Sequence, residues 1–219
     1  PRNPTLQAVK RDRVAHRLLG NFGWSHAGRS LEGIQYGYSS PVWNVTGLAA
    51  RPVEGVFDVD GLKGLDVAVG YGAVTRRDHV DGAGEARVFA IHYRDGRSAE
   101  SLVKADNRPP AVRQADSEDV TIRTVGAHYL RAEETAAGTI DLMAWGAVQN
   151  GRWGAQDHRA WSLAAEIGIQ PGEVGGLRPW IRVGHNRGSG DSNPADDRHE
   201  TFFQMLPTPR IYARFPFYN

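Results

Sequence analysis

The chain has 219 residues, of which 40% are hydrophobic and 23% are charged, with 26 glycines and no cysteine. This length allows one large all-β domain or two small domains. The absence of cysteine excludes disulfide frameworks, thiolate metal sites and cysteine nucleophiles. The 26 basic and 25 acidic residues nearly balance, which argues against a polycationic nucleic-acid-binding protein. No apolar run reaches about 18 residues, so no transmembrane helix is expected, but a β-barrel with alternate residues facing lipid is compatible with this composition.

A period of two dominates the hydrophobic pattern and predicts an all-β protein. Residues 6–19 are either a short helix or a strand with its loop. The segments predicted as strands are 31–38, 43–51, 65–72, 86–95, 119–131, 139–149, 161–169 and 177–183. Three of these runs reach the 9–11 residues that a tilted membrane strand needs, against about 5–6 in soluble sheets.

The connections between these strands nearly alternate between short and long. Short links lie near 39–41, 77–84, 132–137 and 171–172, and long ones at 52–63, 96–117 and 186–214. A turn at Asn150–Gly151 breaks the alternation. Outer-membrane barrels have tight periplasmic turns and long outer loops, whereas a soluble sandwich mixes loop lengths. Alternating apolar residues alone fit both architectures.

The apolar side of each strand is expected to face lipid if the protein is a barrel. This prediction covers Ile140, Leu142, Leu163, Ile167, Ile181 and Val183. By the same parity, Val67 and Val69 are on the strand side opposite Asp66, and Val120 and Ile122 are on the side opposite Arg123. Trp43, Trp153 and Trp161 suit an interfacial belt, while Trp145 and Trp180 have the inward parity.

The ends of the chain carry no leader and no stop-like tail. Pro1 follows no initiator methionine, and Asn219 follows an aromatic cluster. We therefore interpret residues 1–219 as an internal piece of a longer protein and as part of a single domain.

Two stretches carry a resemblance to a known family. Residues 17–35 read RLLGNFGWSHAGRSLEGIQ, and residues 185–208 read HNRGSGDSNPADDRHETFFQMLPT. Together with the aromatic end at Phe217, they resemble the alginate export family of outer-membrane barrels, and the intervening strands fit that family in pattern. Leu31 and Glu32 depart from the Phe and Asp usual in the first motif.

The resemblance implies a transmembrane antiparallel up-and-down β-barrel of roughly eighteen strands, of which this chain would supply about eight. It also implies a monomeric porin in the bacterial outer membrane, not an enzyme, that exports or passes an alginate-like anionic polysaccharide or oligosaccharide, or other small anions. The expected partners are this solute and outer-membrane lipid, with no nucleic acid and no cofactor.

Arginine outnumbers lysine by 23 to three, and arginines of inward parity are the candidate lumenal binding residues. A guanidinium binds the carboxylate of each sugar in a uronate polymer through two hydrogen bonds, so a row of arginines could pass the polymer from site to site. The candidates are Arg29, Arg123, Arg178 and Arg182, with Asp141 and Glu166, and also Asp66, as inward acids that could pair with them. Arg178 and Arg182 are predicted on one strand face, about 13 Å apart. A purely structural ion-pair network, and codon usage as the origin of the arginines, are the alternatives.

Four hard oxygen donors, Asp191, Asn193, Asp196 and Asp197, form a candidate calcium loop. They lack the twelve-residue spacing and the terminal glutamate of a calcium-binding hand, so a loop held by Asx turns is the favoured interpretation. No other metal motif is present.

Two soluble proteins are the rival interpretations. One is a carbohydrate-binding β-sandwich or jelly roll, and the other is a polysaccharide lyase with an arginine beside a tyrosine or histidine base. Tyr93 and His92 adjoin Arg94, but adjacent strand residues point to opposite faces.

Overall fold

A computed structural model describes residues 3–15, 17–20, 30–53, 64–78, 84–98 and 104–206. An α-helix, α1 (Pro4–Val9), runs into a π-helical turn at Lys10–Val14, and a second short helix, α2 (Pro110–Ala115), lies in the long connection before the fifth strand. The strands are β1 (Leu31–Ser39), β2 (Trp43–Pro52), β3 (Val67–Arg77), β4 (Gly84–Asp95), β5 (Val120–Thr135), β6 (Gly138–Trp153), β7 (Gln156–Gln170), β8 (Ile181–Gly188) and β9 (Arg198–His199).

The strands form a single sheet in sequence order from β1 to β8, and every neighbouring pair is antiparallel. The two-residue strand β9 adds to β7 in parallel. The predicted up-and-down antiparallel sheet of eight strands is therefore confirmed. Within the described residues the sheet is open, with β1 and β8 at its edges, and no second sheet packs against it.

The two faces of this sheet differ in what lies on them. One face, the covered face, carries the N-terminal residues 3–15 and 17–20 (the inner segment) and residues 198–206 (the strap), which pack with the sheet into one apolar core. Val67, Ile122 and Leu130 on this face are 3% exposed or less. The opposite, exposed face presents large aliphatic side chains such as Val125 at 54% and Val148 at 59% exposure.

The predicted facing holds for β6, β7 and β8 and is reversed for β3 and β5. Leu142, Ile167 and Val183 lie on the exposed face, as expected. Val67, Val69, Val120 and Ile122 instead lie on the covered face. The reason is packing: the inner segment and the strap cover this face, and these four side chains join the apolar core that forms there.

The short connections at 40–42 and 136–137 lie close to their predicted places, whereas the one predicted at 171–172 extends over 171–180 because β8 begins only at Ile181. The turn expected at Asn150–Gly151 lies at Gly154–Ala155 because β6 continues to Trp153. Gly154 has φ +60° and contacts the Asp116 carboxylate so closely that a Cβ would lie 2.2 Å from Oδ2. Both the backbone conformation and the close approach favour glycine there. The described helices include none that is long and apolar enough to cross a membrane.

Candidate functional site

A cavity of about 280 Å³ lies between the inner segment and the covered face of β1 to β6. The side chains that define its chemistry are three cations, Lys10, Arg17 and Arg87, and two aromatic residues, Tyr71 and Trp145. No carboxylate is among the described residues that line it. The cavity thus combines positive charge with aromatic surface, which suits a sugar that carries a negative charge.

Arg87 differs from the other cations of this cavity because its hydrogen-bond partners among the described residues are two hydroxyl groups. Its Nε donates to Thr75 Oγ1 at 2.7 Å, and its Nη1 lies 3.5 Å from the Tyr71 hydroxyl. Among the described residues no carboxylate forms an ion pair with Arg87. Because hydroxyl groups leave the positive charge uncompensated, Arg87 can accept an anion without first breaking an ion pair.

Lys10 differs from Arg87 because it is neutralised by a buried acid. Lys10 Nζ donates to Glu85 Oε2 at 2.7 Å, and Glu85 Oε1 lies 3.1 Å from His128 Nε2. Burial lowers the pKa of Lys10, and the Glu85 carboxylate opposes that effect without cancelling it. This pair anchors the inner segment to β4 and β5.

A second cluster on the covered face is centred on Arg182 of β8. Arg182 forms an ion pair with Asp141, and its Nε donates to Glu166 Oε2 at 3.1 Å. Glu166 also lies 3.6 Å from Arg13 Nε and 3.7 Å from Arg17 Nη2. Within the part of the chain that the structure describes, three guanidinium groups therefore share two carboxylates, one more positive charge than negative.

Aromatic contacts extend the Arg182 cluster. The Trp180 indole donates to Asp141 Oδ2 at 2.8 Å, and the Arg182 guanidinium carbon lies 4.9 Å from the centroid of the Trp180 ring. Arg17 stacks in the same way on Trp145, at 5.3 Å. Buried Arg182 Nη2 has no hydrogen-bond partner among the described residues, so it retains a donor for water or a ligand.

The strap reaches over this face through a group of ring and amide contacts. Gln149 of β6 accepts a hydrogen bond from the Phe203 backbone N–H at 2.9 Å and donates one to the Phe203 carbonyl at 2.8 Å. His199 stacks on Trp153 with ring centroids 4.4 Å apart, and its Nδ1 lies 2.8 Å from His158 Nδ1. These contacts fix the strap across β6 and β7.

The inner segment and the strap also bind each other. Leu19 and Leu206 form a parallel bridge, in which Gly20 N donates to Leu206 O at 2.7 Å and Leu206 N donates to Leu18 O at 2.9 Å. The inner segment and the strap therefore lie together over the covered face of the sheet.

The long connection before β5 is fastened to the β6–β7 turn by a second group of ion pairs. Arg108 contacts Asp106 at 2.7 Å and Asp116 at 2.9 Å, and the Trp153 indole donates to Asp106 at 2.9 Å. Burial alone would raise the pKa of Asp106, but the hydrogen bonds from Arg108 and from the Trp153 indole, together with the Arg108 charge, lower that pKa. The loop is therefore held by charged groups that stay ionised.

The structure brings together three of the six predicted lumenal residues. Arg182, Asp141 and Glu166 form the cluster described above, and the two acids pair with arginine as expected. Trp145 and Trp180 also lie on the covered face. A role for these residues in binding a polymer stays a prediction.

The predictions for Arg123 and Arg178 are wrong in their placement. Arg123 lies on the exposed face of β5, because the residues on either side of it, Ile122 and Thr124, fill the dry covered face. Arg178 lies in the connection that precedes β8, exposed to solvent, because β8 begins only at Ile181. Arg178 and Arg182 therefore do not share a strand face.

Three further predictions have different outcomes. Arg29 lies outside the described residues. Asp66, predicted as an inward acid, pairs with Arg94 at 3.3 Å and is 62% exposed. Trp153, predicted for an interfacial belt, is buried under the strap, whereas Trp43 and Trp161 are exposed at 46% and 39%.

The acidic stretch is a loop held by Asx turns, as the favoured interpretation expected. Asp191 Oδ1 accepts from Asn193 N at 3.1 Å, Asn193 Oδ1 from Ala195 N at 3.3 Å, and Asp196 Oδ1 from Arg198 N at 3.0 Å. The candidate calcium donors, which also include Asp197, thus point several of their oxygens at backbone N–H groups. The described residues contain no cluster of three or more side chains suited to a metal ion.

The cavity residues Lys10, Arg17 and Arg87 escaped the sequence-based search because they come from two distant parts of the chain. One signal existed for Arg87: it shares the strand parity of Phe89, Ile91 and Tyr93 and is the one cation on a β4 face that otherwise carries these residues and the acids Glu85 and Asp95. A cation at the end of an apolar row indicates a wet or ligand-binding position.

Comparison with known proteins places the chain in a family. Residues 7–216, which include the end of α1, all nine strands and the strap, match the family described as alginate export. No curated protein and no solved structure matches the chain. The match covers nearly the whole sequence, and so this chain belongs to the alginate export family.

Proposed function

We propose that the chain forms part of a monomeric outer-membrane β-barrel, within a single barrel domain, that passes an anionic polysaccharide of the alginate type along its covered face. The observation that carries this proposal is Arg87, which lines the cavity and forms no ion pair with a described carboxylate. The other two cations of the lining, Lys10 and Arg17, pair with Glu85 and Glu166. A family of alginate export proteins acts on a polymer with one carboxylate per sugar, which is the ligand that this lining fits.

The exposed face supports a membrane location. Its aliphatic side chains form a band that includes Val88 at 59%, Val125 at 54%, Ile167 at 55% and Val183 at 70% exposure. On β7 the band runs from Trp161 to Ile169, and this nine-residue run reaches the about 9–11 residues that a tilted membrane strand needs. A soluble protein rarely leaves so large an apolar patch uncovered.

The rival functions receive less support. A sandwich requires a second sheet packed on the first, and the described residues contain one sheet. A lyase built on Tyr93, His92 and Arg94 would need these side chains together. Tyr93 is buried and donates to Asp95, while His92 and Arg94 lie on the opposite face. We therefore propose transport rather than catalysis.

Transport requires binding that is weak and repeated, since a polymer held too tightly at one site would stop moving. Arg87 and the Arg182 cluster provide two neighbouring positive positions on the covered face, linked by Arg17. Trp145 on β6 provides flat apolar surface between their strands, and Tyr71 lies beside Arg87. A sugar chain could move between these positions by exchanging one carboxylate contact for the next.

The test is single-channel recording of the full-length protein in a planar bilayer. Reversal potential in a salt gradient measures anion preference, and an added oligouronate measures block. Arg87→Gln should weaken block roughly 10- to 100-fold, the value of a hydrogen bond to a charged group. The block of Arg87→Lys should be intermediate between that of the wild type and that of Arg87→Gln, because lysine restores the charge without the planar guanidinium group.

The matched control is Arg76→Gln, which removes the same charge from the exposed face of the neighbouring strand β3. It should leave both selectivity and block unchanged. Normal selectivity and normal block in a correctly folded Arg87→Gln variant would refute the role of the cavity. Failure of the wild-type protein to form channels would refute the membrane location.

A further inference from the structure

Four polar side chains form a row across the exposed face, one on each of the strands β4 to β7. The register pairs His92 with Arg123, Arg123 with Asn150, and Asn150 with Arg159. All four side chains are exposed. The row, here called the arginine row, crosses the face of the sheet that carries the aliphatic band.

The arginine row lies directly beside that band. Two residues further along each strand, the next row on the same face consists of Ala90, Val125, Val148 and Trp161. Val125 and Val148 are more than half exposed, at 54% and 59%, and Trp161 is 39% exposed. The arginine row therefore marks the border at which the surface changes from apolar to polar.

Arg123 and Arg159 have no ion-pair partner among the described residues, unlike the arginines in the next row outward. There Arg94 contacts Asp119 at 2.8 Å, and Arg152 contacts Asp157 at 2.6 Å. The outer row is thus internally neutralised, whereas the arginine row leaves two positive charges uncompensated.

The spacing of these two charges suits one phosphorylated headgroup. Arg123 and Arg159 occupy matching register positions two strands apart, which corresponds to roughly 10 Å between their backbones. Their long, flexible side chains can converge on a single group or spread over two neighbouring phosphates. Asn150 lies between them and offers a further hydrogen-bond donor.

The position along the strands indicates which membrane surface is involved. The arginine row lies toward the ends of β4 and β5 that join the long connection 96–119, whereas the two-residue turn 136–137 lies at the far end of β5. Long loops are on the outer side of outer-membrane barrels. The outer leaflet there consists of a glycolipid that carries phosphate groups on its sugar headgroup.

We propose that Arg123 and Arg159 bind the phosphate groups of this outer-leaflet glycolipid, with its acyl chains against the aliphatic band. This inference rests on the proposed membrane location. The ligand must carry phosphate, because guanidinium groups bind phosphate through paired charge-assisted hydrogen bonds. The ligand must also carry an apolar part, because the two arginines lie at the border of the exposed aliphatic band.

The test compares two double variants of the full-length protein in neutral detergent micelles. Arg123→Gln/Arg159→Gln removes the uncompensated charges. The control, Arg94→Gln/Arg152→Gln, removes two charges from the same face that are already paired. Native mass spectrometry measures binding of the bisphosphorylated lipid anchor of the glycolipid, and the same lipid without phosphates is the reference ligand.

The wild-type protein and the control should bind the phosphorylated lipid more tightly than its dephosphorylated form. The Arg123→Gln/Arg159→Gln variant should lose roughly 10- to 30-fold in affinity for the phosphorylated lipid only, from about two phosphate contacts. Inorganic phosphate alone should not compete at millimolar concentration, which distinguishes a lipid site from a free-phosphate site.

Three results would overturn this inference. They are equal lipid affinity in both double variants, no preference for phosphorylated lipid in the wild type, and full competition by inorganic phosphate. Each of these leaves channel formation intact, so the proposed function would stand. A wild-type protein that does not insert into bilayers would overturn both proposals together.

Discussion

Removal of Arg182 should destabilise the protein through the carboxylate that it leaves behind. The Asp141 side chain is fully buried and that of Glu166 is 3% exposed. Without the guanidinium, Glu166 retains Arg13 and Arg17, but among the described residues Asp141 retains only the Trp180 indole. The sequence alone predicts that Arg182 faces water in the lumen, so that its substitution would not unfold the protein. The burial of the cluster contradicts that prediction, and we expect a loss of stability instead.

The magnitude follows from the burial of the acid. Breaking a buried ion pair by removing one partner costs about 3–5 kcal/mol, because a charge is left in a dry site without compensation. Arg182→Met should therefore lower the free energy of unfolding by about that amount. Arg182→Met/Asp141→Asn should cost only about 1–3 kcal/mol, since the stranded charge is gone and the amide can still accept from Trp180.

Urea unfolding in neutral detergent micelles, followed by tryptophan fluorescence, gives the free energy of unfolding by linear extrapolation. Arg123→Met is the matched control: the same replacement on the exposed face should change that free energy by about 0.5 kcal/mol or less. The single variants Arg182→Met and Asp141→Asn complete a double-mutant cycle with the double variant.

Two results would refute this reasoning. If Arg182→Met costs no more than Arg123→Met, the cluster is not a buried ion pair in solution. If the two substitutions add without a coupling energy, the cost does not arise from a stranded Asp141 carboxylate.

Two further predictions concern packing and pH. Gly126→Val should destabilise by about 1–3 kcal/mol in the same urea assay, because a Cβ would lie 2.3 Å from Phe89 Cζ, whereas Gly72→Val, where nothing lies within 4 Å, should be nearly neutral. If both substitutions lowered the free energy of unfolding equally, the loss would come from the backbone and not from the contact with the Phe89 ring. Burial lowers the pKa of His199 from its ordinary value, so its neutral form supports the fold fully above about pH 6.5 and that support declines as the pH falls below it. The amide hydrogen-exchange rate of the strap, corrected for intrinsic rates, should therefore increase as the pH is lowered from 7 to 5. The increase should be smaller in a His199→Gln variant. Unchanged protection over this range would show that the contact with His158 does not hold the strap.

The strand order and the antiparallel pairing could be predicted from sequence because both depend on local patterns. Alternation over 139–149 and 161–169 marks β6 and β7, and the short links force neighbouring strands to pair. The ion pair of Arg182 with Asp141 and Glu166 also followed, because parity placed all three on one face of adjacent strands.

Facing on β3 and β5 could not be predicted, because alternation separates two faces without saying which one is dry. On β7 the apolar residues face outward, but on β5 Ile122 and Leu130 are buried under the inner segment and strap, and Arg123 lies outside. The decisive information is what packs on the sheet, and that is supplied by residues far away in the chain. The cavity around Arg87 was missed for the same reason, since Lys10 reaches it from the other side.

The inner segment has a consequence for the order in which the protein folds. Each strand pairs with its neighbour in the chain, so hairpins can form while the rest is still unfolded. The inner segment cannot do so, because Thr5 bonds to Gln170 across 165 residues and Arg17 to Asn186 across 169. Closing loops of this length is entropically costly and slow. The inner segment therefore reaches its final place after the hairpins, and a sheet whose Glu85 and Glu166 still lack Lys10, Arg13 and Arg17 would exist first.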